Sequence, residues 1–286
     1  MNFIYRVPGF ILCLLAGLCL SFGGPLIRSF EGASPWQILF WRSIFFILAI
    51  CVFLFLTYKK ESVNVVKKAG FAGILGGFFL STSFVGYIFA ITETTIANVV
   101  FIISSQTLFL AIFGYFFLKE KVSFRSFIAI IMAVSGVVLM IGDSVSAGSL
   151  TGNLAALLIP INFSILIIII RKNPHLDMIP AIFYAGILSS IYGFVLSENL
   201  FISYKDLGLS FLLGVPQLAF GFILVTIGSR TTPAAAVGLF MLTESVFGPI
   251  WGWLIFNEIP PTSVFIAGAM IITAVAIKSM EKTKSI

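Results

Sequence analysis

The chain has 286 residues, of which 59% are hydrophobic and only 10% charged, with a mean hydropathy of +1.13. An ordinary soluble domain carries about 25% charged residues, so this composition excludes a water-soluble fold and predicts a polytopic membrane protein. The net charge of +6 is therefore read by location, since basic residues in such chains mark one face of the bilayer rather than a nucleic-acid partner.

In chain order, apolar runs bounded by charges or turn residues predict ten spans, at 8–28, 35–57, 69–91, 95–118, 123–142, 152–171, 176–197, 206–229, 233–256 and 261–280. About 20 residues at 1.5 Å rise cross the hydrocarbon core. Runs this long and continuous are helices rather than barrel strands. Arg6 before the first run resembles a secretory signal, but no small-residue cleavage site follows, which predicts an uncleaved first helix. Turn residues fall between the runs, at Gly32-Ala33-Ser34-Pro35, Gly148-Ser149, Lys172-Asn173-Pro174 and Pro260-Pro261. Cys13, Cys19 and Cys51 lie in apolar runs and imply no disulfide framework. His175, the sole histidine, sits in a basic loop, so neither a metal nor a cofactor site is expected.

With the N-terminus inside, 14 of the 17 basic residues fall on the cytoplasmic side, among them Lys59, Lys60, Lys119, Arg171 and Lys278. Arg28 and Lys205 fall outside and Arg42 within the second span, while Glu31, Glu93, Asp143, Glu198, Asp206 and Glu258 are all external. Such an asymmetry predicts both termini in the cytoplasm. Short loops and the lack of an external glycosylation site lean towards a bacterial inner membrane.

The chain also repeats itself. Thr94-Thr95-Ile96-Ala97-Asn98-Val99-Val100 and a run ending at Lys119-Glu120 resemble Thr231-Thr232-Pro233-Ala234-Ala235-Ala236-Val237 and a run ending at Asn257-Glu258, offset by 137 residues. Spans four and nine are an odd number apart, so the copies are expected to face opposite ways. Pro25 and Pro160, 135 residues apart in spans one and six, are expected to interrupt their helices. Inverted repeats with broken helices point to alternating access around a site at the midplane.

These residues, with the glycine-containing helices around Ser135-Gly136-Val137-Val138-Leu139 and Gly268-Ala269, resemble the EamA repeat of the drug/metabolite transporter superfamily. The resemblance covers nearly the whole chain. It implies an all-α membrane protein of ten transmembrane helices in two inverted five-helix repeats, 1–145 and 150–286. Helices one to four and six to nine would surround a central cavity, with five and ten supporting from the side. Phe40-Trp41-Arg42 is similar to an arginine-bearing stretch found in many members. Members move amino acids, nucleotide sugars, vitamins or other metabolites such as S-adenosylmethionine, so the resemblance implies a mechanism and leaves the cargo open. One departure is visible: the first repeat has Gln106-Thr107 where the second has Thr243-Glu244.

Arg42 and Glu244 are the charges placed in the hydrocarbon, at depths of ~10 and ~14 Å from the outer surface by helix rise. Intramembrane charges normally face a partner or a watery cavity. Three readings follow: the pair clasps a zwitterion, it forms a plain salt bridge, or Glu244 serves proton coupling. Gln106, Asn162 and Gln217 are further candidates, because an amide facing lipid wastes several hydrogen bonds. Ser83, Tyr87, Trp41 and Thr243 complete the expected substrate-binding set. Gly73-x-x-x-Gly77 and Gly248-x-x-x-Gly252 are expected to pack internally, and Pro249 is expected to kink span nine.

The expected function is a non-enzymatic secondary transporter of a small polar metabolite, an amino acid or similar zwitterion, by export or exchange. Its partners would be that small-molecule substrate, the lipid bilayer and a proton or other coupling ion, with no nucleic acid, in a monomer or homodimer. A membrane-embedded enzyme acting on lipid-linked substrates and a passive channel are the alternatives. No nucleotide-binding loop is present, so ATP drive from within this chain is not expected.

Overall fold

The computed structural model describes residues 3–94, 99, 102–141, 150–257 and 262–280. Much of the first-repeat Thr-Thr-x-Ala motif, together with Phe101, Asp143, Glu258 and the turns at Gly148-Ser149 and Pro260-Pro261, lies outside these residues. The described residues are helical and short-looped, with no strand among them.

The helices are α1 (Gly9–Leu20), α2 (Gly23–Arg28), α3 (Pro35–Tyr58), α4 (Ser62–Glu93), α5 (Gln106–Leu118), α6 (Phe124–Ile141) and α7 (Leu150–Lys172). They continue with α8 (Ile179–Leu196), α9 (Tyr204–Leu212), a π-helical turn (Leu213–Ala219), α10 (Phe220–Gly228), α11 (Ala234–Met241), α12 (Thr243–Phe256) and α13 (Thr262–Ser279). Among the described residues six stretches are long and apolar enough to cross a membrane, and shorter apolar helices occupy Ile102–Leu118, Phe124–Leu139 and Phe265–Ser279.

Local chemistry sets the ends. Ser34 caps α3, its hydroxyl accepting from the Gln37 N–H at 3.3 Å while the Gln37 carboxamide oxygen accepts from the Ser34 N–H at 2.7 Å. Pro35 follows at the first helical position, where its missing N–H costs nothing. Within α4 the chain turns at Gly70, whose φ of +50° a side-chain-bearing residue would resist.

α4 packs between α7 and α8, α3 lies along α8, α1 along α10, and α5 along α11. Their inner faces form one apolar core that includes Leu39, Phe46, Leu80, Leu166, Ile182, Phe222 and Val237. α6 and α13 pair with each other to the side, around Ala129, Ala133, Ala267 and Ile271. Gly73 and Gly77 pack inside, as expected: a Cβ on Gly77 would lie 2.8 Å from the Ala181 carbonyl oxygen. Gly248 and Gly252 do not, since nothing stands within 4 Å of a Cβ at either.

The breaks correct three expectations. Pro160 does not interrupt α7, which runs through it; one turn on, the Ser164 hydroxyl back-bonds to the Pro160 carbonyl at 2.6 Å. Span one breaks at Ser21-Phe22, before Pro25, which occupies the first turn of α2. Span nine breaks at Leu242 rather than at Pro249, which α12 accommodates. Span four breaks at Ser105, 137 residues before Leu242. The hydrogen bonds at the two breaks match, Ser105 N to Ile102 O at 3.1 Å and Leu242 N to Leu239 O at 3.2 Å. Both helices then end on left-handed residues, Lys119 and Asn257, each at φ 56°.

Candidate functional site

A central cavity of about 100 Å³ lies among α1–α5, α7, the π turn, α10, α11 and α12. One water needs roughly 10–15 Å³, so this space is built for a solute or several waters. Its polar lining is Arg42, Ser83, Tyr87, Gln106, Gln217 and Glu244, set among Leu80, Phe84, Phe163, Phe222 and Met241.

Arg42 enters from α3 and is 2% exposed. One Nη donates a long bond, 3.4 Å, to the Phe84 carbonyl, and the guanidinium lies over the Phe84 and Tyr87 rings at 5.4 and 5.8 Å. Its Nε–H has no partner. A buried guanidinium normally fills its five donors, so this one, on the cavity wall, is left short of partners by the protein itself. Behind it, the π turn approaches so closely that a Cβ on Gly214 would stand 2.5 Å from the Arg42 carbonyl oxygen. Glycine is required there by space.

Gln217 is carried on that π turn, where Pro216 removes a donor and the helix widens. Its Nε2 donates to the Leu20 carbonyl at 3.1 Å, next to the break between α1 and α2. Its Oε1 is buried without a partner.

Glu244 sits in the first turn of α12, directly after the break at Leu242. Gln106 opens α5, directly after the matching break at Ser105. Among the described residues no ion pair joins Glu244 to Arg42 or to any other cation, and its carboxylate has no hydrogen-bond partner. The two intramembrane charges therefore share one cavity without neutralising each other by contact. Ser83 and Tyr87, one turn apart on α4, complete this wall.

Three predicted residues lie elsewhere. Trp41 Nε1 donates to the Leu200 carbonyl at 2.8 Å, tying α3 to the segment before α9, and Trp41 is not among the residues that line the cavity. Asn162 Nδ2 donates to Thr82 Oγ1 at 2.9 Å and fastens α7 to α4. Thr243 donates to the Phe240 and Leu14 carbonyls at 2.9 and 3.3 Å, pinning α12 to α1. Sequence reasoning missed Phe84, Phe163 and Phe222 as cavity walls, since nothing separates them by pattern from the other phenylalanines of the 32.

Polar clusters close the bundle at both ends of α3. Near its start, Asp206, 1% exposed, accepts from the backbone N–H groups of Glu31 and Ala33 at 3.2 and 3.1 Å. Gln37 there donates to Asn199 and Phe201, and Lys205 pairs with Glu31. Near its end, the Tyr5 hydroxyl donates to Asp177 at 2.6 Å, as does that of Tyr58. Burial first, then the neighbouring Asp177 carboxylate, pushes the Tyr5 phenol well above its ordinary range. At the same end Arg171 pairs with Glu120, and Arg230 donates to the Pro174 carbonyl. No group of His, Cys, Asp and Glu that would hold a metal exists among the described residues.

The family model described as the EamA-like transporter family matches residues 7–142 and again 150–280. An uncharacterized transporter of Methanothermobacter thermautotrophicus is 28% identical over 77% of this chain and 67% of its own length. The pseudopaline exporter CntI of Pseudomonas aeruginosa is 24% identical over 93% of this chain and 94% of its own. Human solute carrier family 35 member G1 is 24% identical over 93% of this chain and 77% of its own. A solved crystal structure superposes with a TM-score of 0.81 at 17% identity, covering 95% of this chain and 96% of the other, a likeness of fold.

Proposed function

The chain belongs to the EamA-like transporter family, and from that premise we propose that this transmembrane transporter moves a small zwitterionic metabolite, an amino acid or a close analogue, by alternating access. The observation that carries the reading is the cavity's unmatched polar set: a buried guanidinium with an unpaired N–H, a carboxylate without a partner, and an amide oxygen without a donor. A zwitterion supplies the complement of each. Its carboxylate meets Arg42, and its ammonium meets Glu244 and the Gln217 Oε1. The apolar remainder of the wall accepts a modest side chain. Glu244 is also the group that would carry a proton if transport is proton-coupled.

In this reading the six long stretches, with Pro35–Glu93 counted as the two helices α3 and α4, and the three shorter helices are ten spans. They form two inverted halves, 1–145 and 150–286, with both ends of the chain in the cytoplasm of a bacterial inner membrane. The matching breaks at Ser105 and Leu242 support the repeat, as does the double match of the family model. That one relative is by name an exporter supports outward movement or exchange. Energy would come from a gradient or from the substrate's own concentration difference.

Counterflow in proteoliposomes with a labelled amino-acid mixture tests the reading. Each charge-assisted contact is worth about 1.5–3 kcal/mol, roughly a 10–150-fold change in affinity. Glu244→Gln should weaken half-saturation by that factor, and Arg42→Lys, which keeps the charge but loses the guanidinium's fork of donors, by a smaller one. Unchanged exchange in both variants removes the pair from the mechanism, and absence of trans-stimulation in the wild type removes alternating access.

A further inference from the structure

A second and larger cavity, about 900 Å³, opens where the lateral pair α6–α13 meets the main bundle. It is walled by the end of α5 and the turn after it, the starts of α1, α6 and α11, and the end of α13. Its size lies within the range of small-molecule sites, yet nothing in the transport reading uses it.

The lining is of two kinds. Lys119, Lys121 and Lys278 bring three cations to one mouth, with the hydroxyls of Ser123, Ser126 and Thr231 beside them. Lys278 Nζ already donates to Ser126 Oγ at 2.7 Å, which fixes one ammonium on the cavity wall. Among the described residues that line it the one carboxylate, Glu120, is taken up: Arg171 pairs with it, and its other oxygen accepts from the Ala234 N–H at 2.8 Å. Lys119 and Lys121 therefore leave the described mouth net positive. The rest of the lining includes an apolar set, Phe10, Ala111, Leu118, Val122 and Ala236.

A cationic, hydroxyl-rich rim over an apolar wall at the end of a helical bundle is complementary to an amphiphile with an anionic head. We propose that this cavity binds the phosphate headgroup of an anionic phospholipid, with its glycerol and upper acyl chain along the apolar wall. The lipid would wedge the α6–α13 pair against the core helices. The shared chemistry is a phosphate group, which a soluble phosphate also carries, so the test separates the two sources. It does not depend on the cargo or on alternating access.

The purified full chain in detergent is titrated with phosphatidylglycerol, with phosphatidylcholine of identical acyl chains, and with inorganic phosphate, and thermal unfolding is followed. Phosphatidylglycerol should raise the midpoint at concentrations where phosphatidylcholine does not. Lys119→Gln/Lys121→Gln, at two exposed positions, should weaken the response. At about 1 kcal/mol per lysine, roughly fivefold each, the pair should shift half-saturation by roughly 25-fold. Lys278→Gln should add a similar factor. Lys59→Gln/Lys60→Gln, exposed and outside the cavity, is the control and should change nothing. Equal stabilisation by both lipids overturns the proposal, as does a control pair that loses as much as Lys119→Gln/Lys121→Gln. Inorganic phosphate matching phosphatidylglycerol in affinity would assign the cavity to a soluble anion and overturn the lipid assignment.

Discussion

Removing Arg171 should destabilise the protein by about 3 kcal/mol, and the figure follows from its surroundings. The guanidinium donates through Nε to Glu120 Oε1 at 2.7 Å, pairs with the same carboxylate through Nη2, and donates through Nη1 to the Ser229 carbonyl at 3.1 Å and to that of Thr232. Glu120 in turn holds the Ala234 N–H at the start of α11. One ion pair thus joins the end of α5, the end of α7 and the whole turn between α10 and α11. Breaking a buried pair costs about 3–5 kcal/mol, whereas an exposed pair contributes about 0–1 kcal/mol. With the side chains only 16% and 14% exposed, Arg171→Ala belongs near the lower end of the buried range. Glu120→Gln keeps an acceptor oxygen for Arg171 or for Ala234 but not for both, turns an NH2 donor towards the other, and removes the charge, so it should cost a comparable amount, about 2–3 kcal/mol. At 2–4 °C per kcal/mol, thermal unfolding of the purified protein should fall by about 6–12 °C for Arg171→Ala. The double variant should be little worse than Arg171→Ala alone, because both remove the same contact. A drop under about 2 °C that also vanishes in high salt would show a screened surface pair and refute the reasoning.

Other outcomes follow from single contacts. The raised Tyr5 phenol stays neutral when folded, while the unfolded tyrosine ionises near its ordinary value of about 10. Stability from this group is therefore complete below pH ~10 and is lost as pH climbs above it; Tyr5→Phe should lose less stability between pH 9 and 11 than the wild type, read by chemical denaturation at each pH. Gly193→Ala should cost about 1–3 kcal/mol, because the new Cβ would lie 2.6 Å from the Phe40 backbone nitrogen. Gly252→Ala, with open space around it, should be neutral or stabilising by up to about 1 kcal/mol through helix propensity; equal losses in the two variants would contradict the packing described for α3 and α8.

The sequence made the polar lining more legible than the backbone. Arg42 and Glu244 reach one cavity because helix rise alone places them at similar depth, and the amides Gln106 and Gln217 join them because a carboxamide in lipid has no better place. Asn162 obeys the same rule with a different solution, a hydrogen bond to Thr82 between helices. What could not be read was where the helices break. Proline marked Pro160 and Pro249, but each loses one backbone bond that its helix tolerates. The breaks that shape the cavity fall at Ser105 and Leu242, in stretches without glycine or proline. Nothing local demands them, and both residues keep right-handed dihedrals, φ −64° and ψ −11° at Ser105 and φ −65° and ψ −8° at Leu242. The π turn had a visible cue in Gly214-Val215-Pro216, a donor-poor run in an otherwise regular helix. Trp41 was misplaced by adjacency: residues i and i+1 point about 100° apart on a helix, so the neighbour of a cavity arginine faces away from the cavity.

The matched breaks also explain why the cavity is not symmetric. Counted by the 137-residue offset, Gln106 corresponds to Thr243 and Thr107 to Glu244. Yet the side chains presented to the cavity are Gln106 from one half and Glu244 from the other, positions that do not correspond. Thr107 turns instead to donate to the Gly238 carbonyl at 3.2 Å, and Thr243 to the Leu14 carbonyl. Two threonines therefore hold α5 against α11 and α12 against α1, while the next residue along or the one before it is left facing inward. A backbone repeat of this kind, offset by one residue in what it exposes, puts a neutral amide on one side and a carboxylate on the other. With Arg42 contributed by the first half alone, the cavity acquires a direction. A ligand with distinct charged ends can then enter in only one orientation, which is the property the proposed zwitterion requires and a symmetric lining would deny it.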